Sequence, residues 1–197
     1  MATVITSSAN TPPNGRLFTI ADVDKMPRQL PSGPVDYELD NGRIVTMSPT
    51  GNRHSAMQTR LSKALANQGD DQGFGETRVE VGVILWRNPD RLVGPDVAFF
   101  PKKLFPLKES VEGYLETIPD LVFEVRSKND TEAELRQKVA DYLAAGVKQI
   151  FTVEPETKTI GMHRLGQTVV VLGESDLLKL DEIIPGFTLS LAELFRP

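Results

Sequence analysis

The sequence predicts a mixed α/β fold around one central sheet, and three observations carry that prediction. The chain has 197 residues, 40% of them hydrophobic, which suits one domain of ordinary size with a real core. Residues 121 to 154 read strand, helix, strand, the pattern of a βαβ crossover unit. The other apolar runs are short and bounded by turn residues, as hairpin strands are.

The elements follow in order. Residues 1 to 15 are polar and turn-rich, with too little apolar content to offset the entropy of ordering, so a flexible tail is expected before a single domain at 16–197. Thr19-Ile-Ala-Asp22 has the form of a capping box and opens a short helix that should stop near Pro27. Tyr37-Glu-Leu-Asp40 and Arg43-Ile-Val-Thr-Met47 flank Asn41-Gly42, a pair that accepts the positive φ angles of a type I′ turn, and so predict an N-terminal β-hairpin. Between residues 52 and 68, Met57, Leu61, Ala64 and Leu65 recur at helical spacing, with Gly69 as the expected C-cap. Residues 78–86 alternate and are rich in β-branched side chains, predicting one strand before a turn at Asn88-Pro-Asp90. Asp96 opens the next strand, 101–118 is expected to be a loop with a helical turn, and 121–126 is a strand. A helix over 131–145 stops at Gly146, a meander of strands runs through 148–154, 159–164 and 168–172, and Ser190-Leu-Ala-Glu193 has the form of a capping box for a last short helix.

Composition excludes several function classes. No run approaches the roughly 18 to 20 apolar residues of a membrane span, and no secretory signal opens the chain, so a cytoplasmic protein is expected. The absence of cysteine excludes disulfides and thiolate metal sites. The net charge of −5 weighs against binding nucleic acid through overall charge, since phosphate contacts draw on Lys and Arg. Basic residues gather at Arg53, Arg60 and Lys63, at Lys102, Lys103 and Lys108, and at Arg126, Lys128, Arg136 and Lys138; a solvated face is the simpler account of them, and a local phosphate-contacting patch the alternative.

The candidate chemistry lies in two acids. Asp96, in Leu92-Val-Gly-Pro-Asp-Val-Ala-Phe-Phe100, and Glu124, in Leu121-Val-Phe-Glu-Val125, interrupt apolar strands, where an unpaired carboxylate is costly and points to function or a bound cation. If their strands are neighbours, one divalent ion can meet both. Without cysteine its ligands must be oxygen, His54 or His163, and oxygen favours Mg²⁺ or Mn²⁺. Strand alternation puts Val122, Glu124 and Arg126 on one face. Lys138 lies at the edge of the helical stripe formed by Leu135, Val139 and Tyr142, so its stem can lie on the sheet and its ammonium reach the carboxylates. Each residue has a simpler reading: Asp96 as a turn residue, Glu124 as the ion-pair partner of Arg126, Lys138 as a helix-surface lysine, His54 as a hydrogen-bonded histidine near Met57, and Glu80 on a solvent face.

Pro95-Asp96, Pro119-Asp-Leu-Val122, Glu124-Val125, Ser127, Lys138 with Tyr142, and Gly186-Phe187, preceded by Glu38-Leu39, Asn41-Gly42, Met47-Ser-Pro49 and His54, form an ordered set over residues 17 to 195. In this set the chain resembles the PD-(D/E)XK superfamily of restriction-endonuclease-like nucleases, and most closely its large bacterial branch of uncharacterised restriction endonucleases. The resemblance implies a restriction-endonuclease-like fold, a central mixed sheet flanked by helices, and hydrolysis of DNA phosphodiester bonds. It implies Asp96 and Glu124 as ligands of Mg²⁺ or Mn²⁺, Glu38 as a further acidic ligand, Lys138 as a catalytic lysine moved onto the helix, and a homodimer. One position departs from the signature: Arg126 stands where the superfamily has lysine. Arginine keeps the charge but barely deprotonates, which suits a phosphate clamp and not a general base. The departure keeps an alternative open, a catalytically degenerate nuclease-fold module that binds nucleic acid or a protein partner.

Overall fold

In the computed structural model the described residues are 2–3, 15–31, 33–47, 50–128 and 130–196. They form β1 (Ala2–Thr3), α1 (Ile20–Val23), β2 (Gln29–Leu30), β3 (Gly33–Pro34), β4 (Asp36–Asp40), β5 (Arg43–Met47), α2 (Asn52–Leu65), β6 (Gly75–Val79), β7 (Val83–Trp86), β8 (Arg91–Val93), β9 (Val97–Pro101), β10 (Leu121–Val125), α3 (Glu132–Ala145), β11 (Gln149–Glu154), β12 (Thr159–His163), β13 (Val170–Gly173), β14 (Leu177–Lys179), β15 (Thr188–Ser190) and α4 (Leu191–Leu194). Most of the tail expected at 1–15 lies outside the described residues.

The strand–helix–strand stretch folds as its pattern implies. β10 and β11 pair in parallel, Phe123 opposite Phe151, and α3 makes the crossover between them. Thr131 caps α3 through a reciprocal box with Glu134, and Gly146 ends it at φ 100°, a conformation glycine adopts without steric cost. Around this parallel pair the order is β13-β12-β11-β10-β9-β6, with the other neighbours antiparallel, so the central sheet is mixed. Alternation along β10 separates two cores. Leu121, Phe123 and Val125 pack with Met57, Leu61 and Leu65 of α2; Val122 packs on the opposite face with Val139 and Tyr142 of α3.

Asn41 and Gly42 turn the β4–β5 hairpin at φ 48° and 78°. The hairpin belongs to a second, five-stranded sheet of order β1-β5-β4-β8-β7, which extends the expectation of one sheet. The run 78–86 is correspondingly two strands and not one. Glu80, at φ 52°, cannot continue an extended chain, so β6 joins the central sheet and β7 the second. Ile20 and Val23 of α1 pack under the second sheet against Leu39, Ile44, Ile84 and Leu92. The Thr19–Asp22 box forms as its motif implies. Ser190 precedes α4 without a side-chain cap bond, so the second expected box is not made.

Gly69 is not the C-cap of α2. The helix continues into a π-turn, Ala66–Asp70, and Gly69 is buried within it. A Cβ there would lie 2.6 Å from Phe99 Cε2, so glycine is present for close approach and not for backbone handedness. Gly69→Ala is expected to cost about 1–3 kcal/mol, the usual cost of overpacking a core, read as a lower urea midpoint at unchanged slope. Among the described residues no helix is long and apolar enough to cross a membrane.

Candidate active site

Three strands and two helices bring the candidate residues together. Phe123 pairs with Val97, so the next antiparallel step sets Glu124 opposite Asp96. The expectation that their strands are neighbours therefore holds, and the Val125 N–H donates to Asp96 Oδ2 at 2.6 Å. α2 brings His54 to the other carboxylate oxygen, Nε2 to Oδ1 at 2.9 Å. α3 brings Lys138, whose Nζ donates to Glu124 Oε2 at 3.1 Å and to Glu38 Oε1 at 3.0 Å. One helical turn on, Tyr142 O–H donates to Glu124 Oε1 at 2.6 Å. Glu38 arrives from the hairpin on β4 and accepts from the Gly94 N–H at 2.9 Å, tying β4 to the segment before Asp96.

These groups line one cavity of about 180 Å³, shared by Glu38, His54, Asp96, Glu124 and Lys138. Its electrostatics are those of acids short of positive charge. Burial, the larger effect, together with the charges of Asp96 and Glu38, pushes Glu124 up to about 7 against the opposing pull of Lys138. Burial lowers the Lys138 pKa, but Glu124, Glu38 and Asp96 more than offset it and hold the ammonium charged. Burial and the same two glutamates raise Tyr142 well above the usual phenol, so it acts as a neutral donor. For His54, burial opposes the charged form, yet the Asp96 bond and the charges of Asp96, Glu124 and Asp130 leave it raised overall.

The donor chemistry fits a hard divalent cation. Asp96 and Glu124 are oxygen donors facing one space, and the upward push on Glu124 is the mark of a carboxylate that an added positive charge would stabilise. Among the described residues no three acids or histidines already stand in ligating array; Lys138 lies between Glu38 and Glu124. Mg²⁺ needs no such cage, since one or two carboxylates, waters and substrate phosphates commonly hold it.

Arg126 is not brought to this cavity. β10 ends at Val125, and the guanidinium turns to Glu154 at 3.3 Å instead of sharing the outlook of Glu124. Glu80 accepts from Gln58 Nε2 at 3.0 Å at the edge of a neighbouring cavity that Asp96 and Glu38 also line. His163 bonds Thr152 at 3.0 Å, outside the site. Much of the basic charge noted along the chain is spent in ion pairs: Arg53 with Glu156, Lys103 with Asp120, Lys108 with Glu116, and Arg136 with Glu132.

Sequence reasoning missed Arg91 and Asp141. Both are buried; Arg91 Nε donates to Asp141 Oδ2 at 2.7 Å while its Nη1 lies 3.8 Å from Glu38. Arg91, beside Leu92-Val93, carried the same cost signal that marked Glu124, whereas Asp141 lies off the stripe of Leu135, Val139 and Tyr142 and had no such mark in the helical pattern. The Arg91 signal went unread because Leu92 to Phe100 was read as one apolar run, with no separate strand at 91–93.

A family model described as "Uma2: Putative restriction endonuclease" matches residues 22–192 of the chain. Among solved structures, the chain is similar to one from Anabaena variabilis ATCC 29413 described as "a putative nuclease belonging to DUF820", with a TM-score of 0.73. The two are 18% identical over 90% of this chain and 97% of that one, a likeness of fold. No curated protein matches the sequence.

Proposed function

The chain belongs to the Uma2 family described as "Putative restriction endonuclease", and from that premise we propose that it is a Mg²⁺- or Mn²⁺-dependent endonuclease that hydrolyses DNA phosphodiester bonds. The observation that carries the proposal is the convergence of Asp96, Glu124, Glu38 and Lys138 on one cavity, with Glu124 left short of positive charge. Asp96 and Glu124 would hold the cation, with Glu38 as a further ligand. When bound, it would polarise the phosphate and lower the pKa of a water.

The chain's own residues supply the rest. Lys138 stays charged among three acids, so its role is to neutralise charge developing on the phosphate, not to remove a proton. Tyr142 O–H and Lys138 hold the two oxygens of Glu124, and the Gly94 N–H holds Glu38, so the carboxylates are oriented before substrate arrives. Arg126 would meet a phosphate only by leaving Glu154, which gives it at most a peripheral part as a clamp.

Supercoiled plasmid should be nicked with Mg²⁺ or Mn²⁺ and left intact in chelator, and Mn²⁺ should raise the melting temperature by several degrees. Equal nicking with and without chelator would overturn the metal-dependent reading. A second reading, a non-cutting nuclease-fold module, draws support from Lys138 already pairing with Glu38 and Glu124 and from arginine at 126. It expects DNA or protein binding with no response of stability to Mn²⁺.

A further inference from the structure

Asp96 stands between Gly94-Pro95 and the first residue of β9, outside the ladder that pairs β9 with β10. Its orientation depends on what grips it: the Glu80 N–H donates to its main-chain oxygen at 3.4 Å, and one face of α2 supplies two further bonds. His54 Nε2 takes Oδ1 at 2.9 Å, and one turn later Gln58 Nε2 donates to the Asp96 main-chain oxygen at 3.1 Å. The Val125 N–H takes Oδ2. Each carboxylate oxygen thus has one protein partner, one on α2 and one on β10, which restrains the group and leaves further lone pairs to face the cavity.

The histidine itself is incompletely satisfied. His54 is buried and lines the cavity, yet its Nδ1 has no hydrogen-bond partner among the described residues. A buried histidine kept only for packing would carry that unmet group at a cost of about 1–3 kcal/mol. Its protein hydrogen bond is spent on Asp96. We propose that His54 is a positioning residue: through Nε2 it sets the orientation in which Asp96 receives the cation. The inference rests on the nuclease reading of the site and assigns no proton transfer to the ring. Partners of this kind hold first ligands in place, and their loss typically costs about 10–100-fold in metal affinity or activity.

The test compares His54→Leu, His54→Gln and Asp96→Asn in the full chain, by the Mn²⁺ concentration giving half-maximal thermal stabilisation and half-maximal plasmid nicking. His54→Leu should need about 10–100-fold more Mn²⁺, with KM for DNA little changed. His54→Gln, whose amide nitrogen can reach the place of Nε2, should recover most of that loss. If His54→Leu fails to fold, His54→Asn takes its place, since its shorter amide reaches only the position of Nδ1. A wild-type Mn²⁺ requirement in His54→Leu (or in His54→Asn, where it is the substitute), beside an inactive Asp96→Asn, would overturn the positioning role. So would a His54→Gln as defective as the leucine variant, or as the asparagine variant in its place. An Asp96→Asn that nicks as well as wild type would instead overturn the nuclease reading itself.

Discussion

Asp96→Asn is expected to lower metal-dependent nicking by more than the roughly 10–100-fold that loss of an outer partner costs, while leaving the fold intact. The amide keeps one carbonyl oxygen to accept from the Val125 N–H, so the contact between β9 and β10 survives. What it loses is the formal charge and the second acceptor that meets His54. Nicking and Mn²⁺-induced stabilisation should fall together at an unchanged metal-free melting temperature. Activity that persisted in this variant and in Glu124→Gln alike would assign the cleavage to a contaminant or to a different site.

Lys138→Met is expected to be the most destabilising single change in the site. It leaves Glu38 and Glu124 without the ammonium that both contact, and stranding buried acids costs on the order of 3–5 kcal/mol. The lysine side chain is 15% exposed, which puts the expected loss near the lower end, about 3 kcal/mol, or roughly 10 °C in melting temperature. Adding Glu124→Gln removes one stranded charge, so the double variant should regain part of that stability and none of the activity. Additive losses in the double variant would mean that the pair is not coupled. Mn²⁺ should also stabilise Lys138→Met more than wild type, because the cation meets acids that have lost their resident positive charge.

Local chemistry made much of this protein legible. The Asn41-Gly42 turn, the Thr19–Asp22 box, the stop at Gly146 and the alternation of Leu121–Val125 are each decided by a few neighbouring residues, and each appears where the pattern put it. Glu80 and Gly69 were less legible for one shared reason. Glu80 lies where the chain leaves one sheet for another, and Gly69 where a π-turn meets the Phe99 ring. Both are consequences of packing between segments distant in sequence, which local propensity does not encode. The short strand Arg91–Val93 was merged into the apolar run Leu92 to Phe100, and the buried Arg91–Asp141 pair went unseen with it.

The candidate site divides along the same line. Taken alone, the sequence determined that two acids interrupt apolar runs, that without cysteine a cation held there would be oxygen-loving, and that a helical lysine can reach them, because burial cost, composition and helical period are properties of local sequence. Only the tertiary structure decided which charges meet. It joined Glu38 to Lys138 across 100 residues, turned Arg126 to Glu154, and set His54 against Asp96. The physical reason is range: a hydrogen bond near 3 Å between side chains on different elements depends on how sheets and helices pack, a relation that no window of neighbouring residues contains.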